Sequence, residues 1–151
     1  ARFYSYFGND RFCFPVSRRD HYHQWEFHGS TLKDGQILRA NYIAFTPERG
    51  DIVIYEDHGV PIIKRVIGLP GESIEITNGQ VIVNRIPLHE EYTNGLPRDL
   101  EPVTIPDDSY FLVDDNRIPG ASRDSHDPAV GPIEENALKE KRFFLYTHLN
   151  S

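Results

Sequence analysis

Ser73-Ile74-Glu75-Ile76-Thr77, Asn78-Gly79, Gln80-Val81-Ile82-Val83-Asn84: in this stretch two runs alternate apolar and polar residues at the two-residue period of a half-buried strand, and the pair between them is the one a type I′ turn favours. It reads as a β-hairpin. Outward from it, short β-branched runs broken by turn residues continue at 36–41, 51–56, 62–67, 109–113 and 142–146. No stretch keeps helical periodicity long enough for a confident long helix, and residues 132–141 are the candidate for one short helix with a polar face. The expected fold is all-β or β-rich: short strands, long Pro-rich acidic loops and at most one short helix.

The 151 residues fit a single domain, 1–151, with no internal repeat and no linker that would divide it. Lys and Arg number 16 against 23 Asp and Glu, a net charge of −7, which argues against a broad phosphate-binding surface. No nucleic acid is expected as a partner, and anionic lipid is disfavoured. The lone Cys13 cannot form an internal disulfide. No apolar run approaches the roughly 18 residues that cross a bilayer. Residues 1–27 stand apart, holding nine of the eighteen aromatic residues, among them Phe3, Tyr4, Phe14, Tyr22 and Trp25. Such a segment either packs as strands over the core or presents rings to a membrane interface.

His21 and His23, with His28 nearby, have a spacing that could serve zinc, but no second cluster of ligands accompanies them, and neither metal nor cofactor is expected. No Gly-x-Ser-x-Gly elbow marks a Ser-His-Asp triad. Lys64 is more telling. Ile62, Ile63, Val66 and Ile67 surround it in sequence, so a strand there would set its amine among apolar neighbours. Desolvation disfavours the charged form, and a neutral lysine can accept the proton of a serine hydroxyl without a histidine.

Arg49-Gly50-Asp51-Ile52-Val53, Lys64-Arg65-Val66-Ile67-Gly68-Leu69-Pro70-Gly71-Glu72, and Asp115-Asn116-Arg117 with Ser122-x-Asp124-Ser125 resemble three boxes of the type I signal peptidases, in the same order. The resemblance runs over about 29–146. It implies a mostly β catalytic domain on the extracytoplasmic face of the cytoplasmic membrane, anchored by segments outside these residues, and a serine/lysine dyad that cleaves signal peptides after small residues. By this resemblance Lys64 is the general base, Ser122 the hydroxyl that orients it, Asp124 a carboxylate bracing the same loop, and Arg117 an arginine of that box. Three departures stand out: Asp114 where the pattern has Gly, four residues rather than about two between Arg117 and Ser122, and His126 in place of Arg.

The nucleophile of such enzymes opens Ser-Met-x-Pro-Thr-Leu, and the matching region here is Phe27-His28-Gly29-Ser30-Thr31-Leu32-Lys33-Asp34-Gly35. Aligned without a gap, the serine position falls on Phe27, which has no nucleophilic atom. Aligned with three residues missing between Ser30 and Thr31, both flanks match and Ser30 is the nucleophile. The missing piece would begin with methionine, a residue this sequence lacks altogether. The reading is therefore a membrane-associated serine endopeptidase using Ser30, Lys64, Ser122 and Asp124, with an oxyanion hole from backbone N–H groups, that of Ser30 among them. Its partners would be signal-peptide-bearing preproteins and the membrane surface. The alternative is an inactive homologue that binds secreted or surface proteins.

Overall fold

The computed structural model describes residues 13–19, 22–27, 36–41, 46–58, 60–140 and 142–146; for the strands before 46 and after 141 the description is of backbone pairing. In chain order the strands are β1 (Cys13–Arg19), β2 (Tyr22–Phe27), β3 (Gln36–Asn41), β4 (Ile52–Asp57), β5 (Val60–Gly68), β6 (Ser73–Thr77), β7 (Gln80–Val83), β8 (Ile86–Pro87), β9 (Leu100–Thr104), β10 (Ser109–Val113), β11 (Ile133–Glu134), β12 (Leu138–Glu140) and β13 (Arg142–Tyr146). They form three antiparallel sheets, ordered β1-β2-β3-β13, β11-β10-β5-β4-β12 and β8-β7-β6-β9. The fold is β-rich, as expected. Among the described residues no helix is long and apolar enough to cross a membrane.

The hairpin β6–β7 closes on the Thr77–Gln80 pair, with φ of 52° at Asn78 and 76° at Gly79, the two left-handed residues a type I′ turn demands. Ile74 and Ile76 on β6, and Val81 and Val83 on β7, all point to the core. Of the segment 132–141, the described residues 132–140 are not a helix. Ile133–Glu134 pairs with β10 and Leu138–Glu140 with β4, leaving a single 3-10 turn at Glu135–Ala137. Free edges on both neighbouring strands offer backbone partners that a single isolated turn of helix cannot match.

β10 is buried along its whole length and serves two cores, because successive strand residues face opposite ways. Tyr110 and Leu112 join Val53, Tyr55, Val66 and Leu138 on one side, while Phe111 and Val113 join Ile67, Ile74, Ile76, Val81, Val83 and Ile105 on the other. β5 lies beside it. There Phe111 pairs with Gly68 and Leu112 with Val66, so Ile67 is the extra residue of a bulge.

The bulge fixes the turn that follows. A Cβ at Gly68 would stand 2.3 Å from Ile105 Cδ1 and 2.7 Å from Ile74 Cδ1, so only glycine lets the strand lie this close to the core. Pro70 and Gly71, the latter at φ 80°, turn the chain, and Glu72 N–H donates to the Leu69 carbonyl at 3.2 Å. Arg49 then ties the corner, donating through Nη1 to the Ile67 carbonyl at 2.7 Å and through both terminal nitrogens to the Glu72 carboxylate at 2.8 and 2.6 Å.

Candidate active site

Lys64 lies on β5 opposite Val53 of β4, on the face it shares with Ile62 and Val66. Its side chain retains 2% of its exposure; of the four apolar neighbours in sequence, Ile62 and Val66 share its face while Ile67 joins the other core. A buried amine needs partners. It has them at the mouth of the β5–β10 pair: Nζ is hydrogen-bonded to Ser122 Oγ and lies 3.0 Å from Asp114 Oδ2.

Ser122 reaches the lysine from the loop after β10, and hydrogen bonds hold that loop at both ends. Ser125 and Leu112 exchange two of them, Ser125 N–H to the Leu112 carbonyl and Leu112 N–H to Ser125 Oγ, each 2.9 Å. Asp124 accepts from Asp114 N–H at 3.0 Å and from His126 N–H at 3.1 Å, bridging the start and end of the loop. Burial pushes the Asp124 carboxyl up from its ordinary value, against the pull of the Asp114 N–H, the Lys64 charge and the His126 N–H. Asp124 thus ties the two ends of the loop together.

The extra residues between Arg117 and Ser122 form a turn at the surface, Ala121 N–H donating to the Ile118 carbonyl at 2.9 Å, with Ile118 half exposed at 50%. The added length is spent outward and Ser122 still meets Lys64. His126, where the pattern has Arg, sets Nε2 2.8 Å from the Arg98 carbonyl and so fastens the loop to the segment before β9.

Behind the lysine lies a second polar layer that sequence reasoning missed. Arg65, turned to the opposite face of β5, grips Asp115 in a two-pronged pair at 2.8 and 2.7 Å and stacks 3.9 Å above the Tyr92 ring. Arg117 makes the same kind of pair with Glu90 at 3.0 and 2.7 Å and donates through Nε to the Asp114 carbonyl at 2.6 Å. Tyr92 completes the layer by donating its hydroxyl to Glu90 at 3.1 Å. Burial first, then the Glu90 charge and that hydrogen bond, push its phenol up to about 12. Glu90 and Tyr92 sit in an irregular segment with no periodic signal. Asp114 did carry a signal, a carboxylate where the family pattern has glycine.

Lys64, Ser122 and Asp124 are brought together, while Ser30 and the flanking Thr31–Gly35 stretch lie outside the described residues, as do His21 and His28. Among the described residues no group of His, Cys, Asp and Glu is placed to hold a metal ion.

The chain that carries this arrangement has relatives of known name. The chain is 39% identical over 102 residues to a signal peptidase I of Leptolyngbya laminosa, covering 60% of this chain and 49% of that one. It is 37% identical over 110 residues to a probable signal peptidase I-1 of Synechocystis sp., covering 64% and 55%. It therefore spans about half the length of these two relatives. Over 133 residues it is 35% identical to a signal peptidase I of Bacillus amyloliquefaciens, covering 77% and 67%. A solved signal peptidase I from Enterococcus faecalis superimposes with a TM-score of 0.56 at 26% identity, covering 64% of this chain and 97% of that one. The family model for signal peptidase, peptidase S26, matches residues 28–147, a span that takes in Lys64, the Ser122 loop and the bulged corner alike, and the chain belongs to that family.

Proposed function

We propose that this chain carries the catalytic domain of a serine endopeptidase that removes N-terminal signal peptides from exported preproteins. The observation that carries the reading is the buried Lys64 amine hydrogen-bonded to the Ser122 hydroxyl. The hydroxyl fixes the direction of the amine, and an amine so held, once neutral, can accept the proton of a serine hydroxyl.

In the reaction Ser30 is the nucleophile. Its Oγ bonds to the scissile carbonyl carbon while its proton passes to the neutral Nζ of Lys64, giving a tetrahedral oxyanion and an ammonium. Backbone N–H groups, that of Ser30 among them, stabilise the oxyanion. The C–N bond then breaks, the ammonium returns its proton to the leaving nitrogen, and the acyl group stays on Ser30. Water, deprotonated by the same lysine, attacks the ester and frees the signal peptide with Ser30 restored. Ser122 keeps Nζ in line for each transfer, and Asp124 holds the loop that carries Ser122.

Substrates in this reading have small residues one and three positions before the cut, and Ala-x-Ala is preferred over bulky pairs. The domain works at the extracytoplasmic face of the membrane, where preproteins emerge.

The protein in detergent micelles, incubated with a preprotein ending its leader in Ala-x-Ala, is expected to release the mature chain, and a serine-reactive acylating probe is expected to label Ser30. Lys64→Ala should abolish both with the circular dichroism spectrum unchanged. Absence of cleavage and of labelling in the wild type would instead support a binding homologue.

A further inference from the structure

The two groups on the Lys64 amine differ in what they can do with a proton. The Ser122 hydroxyl suits either form of the lysine, donating to an amine or accepting from an ammonium. The Asp114 carboxylate, 3.0 Å from Nζ, can only accept, and its charge favours the ammonium, the form unable to take a proton from serine. Burial works in the opposite sense.

Asp114 is aimed at the lysine by its own bonds. Its N–H is held by Asp124, its carbonyl by Arg117 Nε at 2.6 Å, and its Oδ1 by the N–H of Asn116 at 2.8 Å, which leaves Oδ2 directed at Nζ. Among the described residues, the other charged groups near Lys64 have partners of their own. Asp124 feels the Lys64 charge too, but it is occupied by two backbone N–H groups, and its burial opposes its ionisation. Arg65, next along β5, is turned to Asp115. His126 is on the Arg98 carbonyl, and Val53, across from Lys64 on β4, brings no charge.

We propose that Asp114 is a positioning residue that clamps the Lys64 ammonium in the resting enzyme and sets the pH range in which the dyad is active. The proposal rests on reading Lys64 as the base. In the resting state Nζ is held between Ser122 and Asp114. The amine becomes competent when it gives up a proton to solvent past the carboxylate, whose side chain keeps 25% of its exposure. A glycine at this position, as the family pattern has, would leave the same lysine with the hydroxyl and without the clamp.

Two variants test this. Asp114→Asn keeps the volume and the Asn116 turn while removing the charge, and Asp114→Gly restores the residue of the pattern. For each, kcat/KM on an Ala-x-Ala substrate is followed against pH, and the Lys64 13Cε resonance, assigned by its loss in Lys64→Arg, is titrated in the same protein. In both variants the acid limb and the NMR midpoint are expected to move to lower pH, so that well down the limb the rate, relative to its plateau, rises by about tenfold. Asp114→Glu, which keeps the charge, should stay near the wild type. A cleaving wild type whose profile and Lys64 titration are unmoved by either variant would overturn the proposal, as would a loss of rate equal at every pH, the mark of a purely structural role. A Lys64 midpoint that moves in a protein that cleaves nothing would uphold the coupling of Asp114 to Lys64 and overturn the reading of Lys64 as a base.

Discussion

The nine residues from Lys64 to Glu72 are the most recognisable run in the chain, and their two halves differ in kind. From Lys64 to Ile67 the strand delivers an amine to Ser122 on one face and a guanidinium to Asp115 on the other. From Gly68 to Glu72 the residues shape the chain: they allow close packing against Ile105 and Ile74, turn the chain and dock on Arg49. Most of what makes this box recognisable is therefore architecture. The bulge at Ile67 joins this corner to the β5–β10 pairing, and β10 leads into the loop that carries Ser122. The two halves should respond to mutation differently, the first in rate and the second in stability.

The largest expected effect lies in the first half's partner. Ser122→Ala removes the hydroxyl that orients Nζ, and the loss in kcat should be about 10²-fold, the scale of a misplaced catalytic group, with the urea midpoint close to wild type. Ser122→Thr, which retains a hydroxyl, should recover most of the rate. A Ser122→Ala enzyme of wild-type rate would mean that the lysine is positioned without the Ser122 hydroxyl.

What was legible beforehand follows the same division. Local rules sufficed where two residues settle a structure: Asn78-Gly79 between alternating runs predicts the hairpin, and 36–41, 109–113 and 142–146 are strands with those same bounds. They failed where pairing is decided by a distant edge, as in the two short strands flanking Glu135–Ala137 and in β9, where Leu100–Thr104 holds a proline at an edge position. Lys64 with Ser122 was readable from motif order. The Glu90, Tyr92 and Asp114 contacts were not, since each depends on a side chain reaching across loops that carry no period.

In the second half of the box, Gly68→Ala should cost about 1–3 kcal/mol of stability, because the added methyl meets Ile105 and Ile74 in a filled core and Phe111 Cβ at 3.0 Å leaves no escape. Urea unfolding measures it. Activity per folded molecule should remain within about twofold of wild type, as the Lys64–Ser122 contact lies on the other face of the strand. A variant that stayed fully stable but lost its rate would break the division and place Gly68 with the chemistry.

The smallest effect is expected at the corner's ion pair, and it has a pH signature. Burial pushes the Glu72 carboxyl up, but the Arg49 hydrogen bond, the Leu69 N–H at 2.8 Å and the Arg49 charge outweigh it and hold the group below its ordinary 4.5. The unfolded chain then binds more protons than the folded one in the interval between the two values, so stability rises with pH across it. The contribution is fully present above 4.5 and is lost as pH falls through the lower, folded value. Glu72→Gln removes the titrating group while keeping its shape. At about pH 7 the variant should be less stable by about 1 kcal/mol, the upper end for a partly exposed ion pair, and its urea midpoint should converge on that of the wild type as the pH is lowered towards about 3. A difference that stays constant over that range would mean that the carboxylate contributes through packing and not through charge. Cleavage by the folded fraction at neutral pH should be unaltered, since Glu72 braces the corner from which β5 departs and leaves the contacts of Nζ with Ser122 and Asp114 as they are.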